Sequence, residues 1–285
     1  MTAATLFGWP RPDGQALAAN HFRAFGVPAD QGNGVSRGAA RAPAAVREAA
    51  SLRRPPALPG VDEGDIANHG GLSVEHLLAR VGAAVEHCLD AGSRPLIIGG
   101  DHAISYAPIA ALQQRGAIGV VWFDAHTDFS PWHGTPGHSH KQVLRRVEAL
   151  EGVRRIVQVG YRGFTAGDES QLGEKAQVIT ARRAAAMSGD ALAELLDDSL
   201  RWYVSIDIDV VDPFHAPGTS APVPGGIVPS HLVELVAAIA RQRRIAGADV
   251  VEVNPRLDVD GMTSSIAATL LHTIADLARR PGTEA

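Results

Sequence analysis

The sequence predicts an α/β protein, a three-layer α/β/α sandwich built on a mostly parallel central sheet. Short apolar runs rich in Val and Ile recur between longer Ala- and Leu-rich amphipathic segments, the pattern of buried parallel strands joined by crossover helices. Three of those runs end in Asp and His, and open parallel sheets place their ligands outside the carboxyl ends of their strands.

In chain order, the strand-like runs are Pro95–Ile98, Gly119–Phe123, Arg155–Val159, Tyr203–Ile206 and Ala248–Val253, each short and almost wholly apolar. Helical patterning falls at Val74–Ala91, Ile104–Gln114, Lys141–Leu150, Gly189–Ser199, Pro229–Gln242 and Ser265–Arg280. Gly32–Pro43 and Asp212–Pro229 are too polar and too broken for core elements; irregular segments of that length inside a compact domain are usually functional, so both are expected at an active-site rim. Arg53–Gly71, also polar, is expected to be surface loop. Strand and helix patterns resume directly after each rim segment, so neither is a linker, and residues 1–285 are expected to form one catalytic domain.

Composition narrows the functional classes. With 45% hydrophobic and 20% charged residues, the chain can bury a full core. A net charge of -5 gives no basic surface for a nucleic acid or an anionic membrane. Cys88 is the only cysteine, which excludes an internal disulfide and a thiolate metal cluster and fits a reducing compartment. Residues Met1–Phe25 lack the basic start and apolar run of a secretory signal, and no stretch approaches the roughly 20 apolar residues that span a bilayer. A cytoplasmic protein with a small-molecule partner is the expectation.

The chemistry is concentrated in three places. Trp122-Phe123-Asp124-Ala125-His126-Thr127-Asp128 ends an apolar run in three ligand-type side chains at alternate positions, which extended backbone would direct to one side. Ser205-Ile206-Asp207-Ile208-Asp209 repeats the device, and its carboxylates sit in an apolar run where an uncompensated charge is expensive. Asp212, directly before Pro213, reads instead as a turn cap. Gly99-Gly100-Asp101-His102 breaks a third strand with two glycines that permit close backbone approach, then offers an imidazole. Four carboxylates with two imidazoles and no sulfur suit Mn, Fe(II), Co or Zn, with the carboxylate excess leaning to Mn. They are too many for one ion, and a pair about 3.5–4 Å apart would neutralise them and generate a hydroxide nucleophile.

Gly-Gly-Asp-His at 99–102, Asp-Ala-His-Thr-Asp at 124–128 and Ser-Ile-Asp-Ile-Asp-Val-Val-Asp-Pro at 205–213 resemble the three signature motifs of the ureohydrolases, the family of arginase, agmatinase and formimidoylglutamase. The likeness runs from Gly26-Val27-Pro28 to Glu252-Val253-Asn254-Pro255. It implies the arginase-like sandwich and two Mn2+ per subunit. His102 and Asp128 would hold the first, His126 and Asp209 the second, with Asp124 and Asp207 bridging. Asp128 would also hydrogen-bond the bridging hydroxide, which attacks an amidine or guanidinium carbon. Glu252 matches the carboxylate that pairs with the substrate guanidinium. His140 falls at the proton-shuttling histidine, although the family usually follows it with Gly and this chain has Lys141; His133 and His138 compete for the role.

The resemblance also bears on substrate. Where arginases hold the amino-acid end of arginine through an Asn and an Asp, this chain has Ser130 and Thr165, which disfavours arginine. Val159-Gly160-Tyr161-Arg162-Gly163-Phe164-Thr165 looks more like the agmatinase and guanidino-acid branch, and Lys141 and Arg162 offer counter-charges for a substrate carboxylate such as that of 4-guanidinobutyrate. Formimidoylglutamase is the alternative, since Asp258, Asp260 and Thr263 after Glu-Val-Asn-Pro resemble that branch too. Single-zinc deacetylases of related fold use an adjacent His-His pair that this chain lacks. A non-catalytic binding protein would leave the six ligand-type groups without a purpose. The family habit implies a homo-trimer or homo-hexamer.

Overall fold

The computed structural model describes residues 4–12, 21–32, 37–68, 72–130, 138–163 and 172–278. Among these, eight strands form one sheet in which every pairing is parallel. The strands are β1 (Phe22–Gly26), β2 (Gly60–Asp65), β3 (Arg94–Ile98), β4 (Ile118–Phe123), β5 (Val153–Tyr161), β6 (Ala176–Thr180), β7 (Arg201–Asp207) and β8 (Arg244–Val251), in the order β2-β1-β3-β8-β7-β4-β5-β6. The helices are α1 (Ala42–Ala50), α2 (Val74–Asp90), α3 (Tyr106–Gln113), α4 (Val143–Glu148), α5 (Ala181–Ala185), α6 (Gly189–Glu194), α7 (Pro229–Gln242) and α8 (Met262–Leu277).

Alternation along the strands sorts the core into two layers. Leu96, Ile98, Val121, Phe123, Val204 and Ile206 pack with α1, α6, α7 and α8 on one face, while Ile97, Val120, Trp122 and Tyr203 meet α2, α3 and α4 on the other. Both faces of the central strands are therefore apolar, which is why they read as continuous hydrophobic runs. The α/β/α sandwich stands, and the sheet is parallel throughout its pairings.

Boundaries differ from expectation where local chemistry intervenes. The segment expected as the helix Ile104–Gln114 opens as a 3-10 turn at His102–Ser105 and becomes α3 only at Tyr106. In the last helix, α8 begins at Met262, three residues before the expected start, and Arg280 lies outside the described residues. Three strands escaped the sequence pattern, and one, β2, falls in the stretch expected to be loop. Its sequence, Gly-Val-Asp-Glu-Gly-Asp, is polar because it is an edge strand paired on one side only.

That edge is fastened by charge. Asp62 is buried in β2 and accepts hydrogen bonds from Leu6 N at 2.7 Å, Arg47 Nε at 2.7 Å, Arg47 Nη2 at 2.9 Å and Arg11 Nη1 at 3.0 Å. It thereby joins the N-terminal segment, α1 and the sheet edge. Burial alone would raise the Asp62 pKa, but the Arg47 guanidinium and the amides of Leu6 and Gly64 hold it below the ordinary 3.8. A depressed folded pKa contributes stability that is complete above the unfolded value and disappears as pH falls through the folded one. Replacing Asp62 by Ala is expected to lower the unfolding free energy near pH 7 by about 3 kcal/mol, because buried Arg47 loses both its Nε and Nη2 bonds and keeps only the Nη1 contact with the half-exposed Asp65. Urea titrations at pH 7 and pH 3 check this: the gap between wild type and Asp62→Ala should narrow at the lower pH.

Candidate metal centre

The four central strands β3, β8, β7 and β4 lie side by side, and each delivers a charged group from its carboxyl end. Beyond β3, Gly100 presses on the chain after β1 so closely that a Cβ would sit 2.0 Å from the Ala29 carbonyl oxygen. The amides of Gly99 and Glu252 tie the strand end to β8, donating to Val250 O and Gly100 O. Asp101 then caps the following turn through Ala103 N, and His102 enters the site fully buried.

His102 Nδ1 stands 3.2 Å from a carboxylate oxygen of each of Asp124, Asp128 and Asp207. His126 Nδ1 lies 2.9 Å from Asp209 and 3.5 Å from Asp124. Two groupings follow, His102-Asp124-Asp128 and Asp124-His126-Asp209, each with its ligand-type atoms within 4.8 Å of one another and sharing Asp124. Asp207 joins the first through His102.

Strand alternation is not what brings these side chains together. The strand β4 stops at Phe123, and Asp128 takes a left-handed φ of 48°. Likewise β7 stops at Asp207, and Asp209 belongs to a 3-10 turn, Ile208–Val210. The carboxylates organise these bends themselves: Asp124 Oδ1 accepts from His126 N at 2.6 Å, Asp207 Oδ1 from Asp209 N at 2.8 Å and Asp209 Oδ1 from Ala125 N at 3.0 Å.

Burial works against charge on both imidazoles, yet the surrounding carboxylates raise His102 well above its usual value and His126 to about 12. Burial and the neighbouring carboxylates push Asp128 up to about 7 and raise Asp207 strongly. Asp124 moves down despite its burial, held by the two imidazoles. A cluster that raises both imidazoles and two of its carboxylates is one that gathers positive charge. The buried His102 Nδ1 has no hydrogen-bond partner, and the donor set is nitrogen and oxygen without sulfur, so these residues fit a pair of divalent ions.

Glu252 closes the floor from β8. It is 5% exposed, adopts φ 60°, and its Oε1 accepts from His102 N at 2.9 Å. Burial and the nearby Asp101 push its carboxyl up to about 8.

The arginase family model matches residues 20–275. The chain belongs to the arginase family. A formimidoylglutamase of Halobacterium salinarum is 36% identical over 256 residues, covering 84% of this chain and 82% of the other. Proclavaminate amidinohydrolase of Streptomyces clavuligerus is 31% identical over 283 residues, covering 92% and 87%, and its solved structure superposes with a TM-score of 0.86 over 97% of this chain and 98% of that one. Guanidinopropionase of Pseudomonas aeruginosa is 31% identical over 284 residues, covering 89% and 85%.

Of the residues singled out by this arginase-family likeness, His140 sits on a half-buried 3-10 turn with Nδ1 2.5 Å from Gly32 O, and burial lowers its pKa. His138 turns away, toward Arg146 and the Tyr106 ring. His133 and Thr165 lie outside the described residues. Asp212 is the expected cap, accepting from the amides of Phe214, Gly225 and Gly226.

Arg162 corrects an expectation. It does not present a free cation to a substrate carboxylate; its Nη atoms donate to the carbonyls of Gly160, Asp209, Val210 and Val223. The turn that carries Asp209 takes its carbonyl out of the strand ladder, and the guanidinium serves it, while Val210 O accepts from Ile227 N as well. Gln158 does the same for the β4 bend, donating to Asp124 O at 3.0 Å and His126 O at 2.9 Å. Sequence spacing gave no sign of Gln158, nor of Trp122, whose indole stacks on His102 at 4.0 Å while its Nε1 donates to Asp124 Oδ2 at 3.0 Å. Replacing Arg162 by Met is expected to cost about 3 kcal/mol of stability. It should also open the 212–226 segment to limited proteolysis, whereas a substrate-binding arginine would change only KM.

Proposed function

We propose that this chain is a manganese-dependent amidinohydrolase, one catalytic domain that cleaves the C–N bond of a linear guanidino compound to urea and an amine. The observation that carries the reading is the convergence of His102, Asp124, His126, Asp128, Asp207 and Asp209 in two groupings that share Asp124. His102 and Asp128 would hold one ion and His126 and Asp209 the other, with Asp124 and Asp207 serving both. When bound, the ion pair would supply the charge that keeps the carboxylates ionised and the Lewis acidity that makes water a nucleophile near neutral pH.

The remaining steps fall to side chains. Glu252, beside His102, pairs with the cationic amidine and fixes its carbon over the site; a bound cation also keeps this carboxyl ionised despite burial. Asp128 accepts a hydrogen bond from the attacking water. His140 donates through Nδ1 to Gly32 O, so its neutral ring carries the lone pair on Nε2, which takes up a proton from solvent and then passes it to the leaving amine.

An agmatinase-like or guanidinobutyrase-like activity is the first reading of specificity, supported by Ser130 and Thr165 at the positions where arginases carry their amino-acid clamp. With Arg162 committed to carbonyls, Lys141 beside His140 is the cation of that pair left to meet a substrate carboxylate. Formimidoylglutamase is the second reading, favoured by the 36% identity to the Halobacterium enzyme. A homo-trimer or homo-hexamer is proposed on the family likeness, and a cytoplasmic location on the single cysteine.

Three measurements test this. Mn-loaded protein should carry two ions per chain by elemental analysis and release urea from agmatine, 4-guanidinobutyrate or 3-guanidinopropionate; turnover of formimidoylglutamate alone would select the second reading. Asp124→Asn should lose both ions and all turnover, and full metal-dependent activity in that variant would overturn the site. His140→Asn should lower kcat by about 10²–10⁴-fold with both ions retained.

A further inference from the structure

Directly beneath the proposed metal centre, on the face covered by α2, α3 and α4, one cross-strand row of the sheet is polar where its neighbours are apolar. Parallel pairing sets Asp249 of β8 beside Ser205 of β7, and Ser205 beside Trp122 of β4. Asp249, Ser205 and His102 are all fully buried. His102 Nε2 lies 3.0 Å from Ser205 Oγ, Ser205 Oγ lies 2.7 Å from Asp249 Oδ1, and Asp249 Oδ2 accepts from Tyr203 OH at 2.7 Å. Ser105 adds a third hydroxyl facing Asp249, 3.4 Å from Ser205 Oγ. None of the proposed catalytic steps uses this carboxyl, and burying one is costly without a role.

We infer that Asp249 is a positioning residue that acts through Ser205 to fix which ring nitrogen of His102 carries hydrogen, and so which nitrogen faces the metal. The inference rests on the metal-centre reading above. Nδ1 is the nitrogen surrounded by Asp124, Asp128 and Asp207, so it must present a lone pair to bind an ion, and the ring hydrogen must reside on Nε2. Ser205 can accept that hydrogen only if its own hydroxyl hydrogen points elsewhere. A carboxylate at Asp249 is an acceptor with nothing to donate, and at 2.7 Å it draws the Ser205 hydrogen toward itself. The three groups then have one hydrogen arrangement, Nε2–H to Ser205 and Ser205 O–H to Asp249. An amide at this position could donate to Ser205, turn the hydroxyl hydrogen back onto Nε2, and leave Nδ1 protonated against the carboxylates.

The arrangement is not a serine nucleophile. The Ser205 hydrogen goes to the carboxylate and not to the imidazole, and Ser205 has no exposed surface from which to attack. Outer hydrogen bonds of this kind orient metal-binding histidines and tune their affinity.

Because His102 belongs to one of the two groupings and His126 to the other, the consequence is asymmetric. In a stepwise Mn2+ titration of the metal-stripped full-length chain, Asp249→Asn should weaken one ion by about 10–100-fold and leave the other within a few-fold. Ser205→Ala, a smaller change that breaks the same link, should produce the same split. Tyr203→Phe removes a hydroxyl from Asp249 without touching Ser205; it should lower the melting temperature while both ions bind as in wild type. A wild type that takes up no Mn2+ overturns the metal-centre reading and this inference with it. Two ions in wild type, together with Asp249→Asn and Ser205→Ala proteins whose two affinities are unchanged or fall equally, overturn the inference alone.

Discussion

Four carboxylates brought into one buried pocket repel one another, and most of what surrounds the site answers that repulsion. Asp124 and Asp207 have almost no contact with solvent, and Asp128 and Asp207 move toward the protonated form under the combined pressure of burial and neighbouring charge. No lysine or arginine forms an ion pair with these carboxylates among the described residues; their close cationic partners are His102 and His126. An arrangement that gathers like charges and supplies only imidazoles is stable as a structure when a multivalent cation joins it, so the fold's own stability is coupled to the site's occupancy.

The geometry that concentrates the charge has its own requirements. A parallel sheet gives four neighbouring strand ends at one edge, but its strands cannot by themselves turn six side chains inward. That takes the left-handed Asp128 and Glu252, the 3-10 turns at His102–Ser105 and Ile208–Val210, and side chains that satisfy the carbonyls and amides freed by the bends. Arg162 and Gln158 serve the carbonyls, while the ligand-type carboxylates cap the amides. His102, Asp124, Asp207 and Asp209 are each held by a side-chain hydrogen bond beyond the cluster's own ion pairs, which is how a site keeps its geometry to within a fraction of an ångström.

This division explains what the sequence disclosed. The runs that became β3, β4, β5, β7 and β8 were legible because both faces of a central parallel strand are apolar, and α7 was legible to the residue. By contrast β2 and β6 lie at the sheet edges, where Gly-Val-Asp-Glu-Gly-Asp and Ala-Gln-Val-Ile-Thr break the apolar run, and β1, Phe-Arg-Ala-Phe-Gly, is interrupted by Arg23. The six ligand-type residues were legible as well, although the alternation argument that singled them out does not describe the bends that place them. Asp249, Ser205 and Gln158 could not be recognised as supports, since their partners come from cross-strand register, and register joins residues far apart in the chain. Arg162 invites a substrate reading for the same reason: its charge lies near the site, and the carbonyls it serves at Asp209, Val210 and Val223 are distant in the chain.

Glu252 shows how the two halves of the site are joined. Its carboxylate accepts the amide hydrogen of His102, so the group proposed to hold the substrate and the first residue proposed to bind metal share one hydrogen bond across the β3–β8 boundary. Pairing with a cationic amidine would draw charge density from that carboxylate and weaken its hold on the His102 amide. A separate support for His102 on its other side, through Ser205 to Asp249, keeps the ring in place when that happens. The imidazole is flanked further by the Trp122 indole, stacked at an interplanar angle of 6°. Held from its backbone amide, its far nitrogen and its face, His102 retains one orientation whether or not Glu252 is engaged, which is what its proposed role as a metal ligand beside the substrate requires.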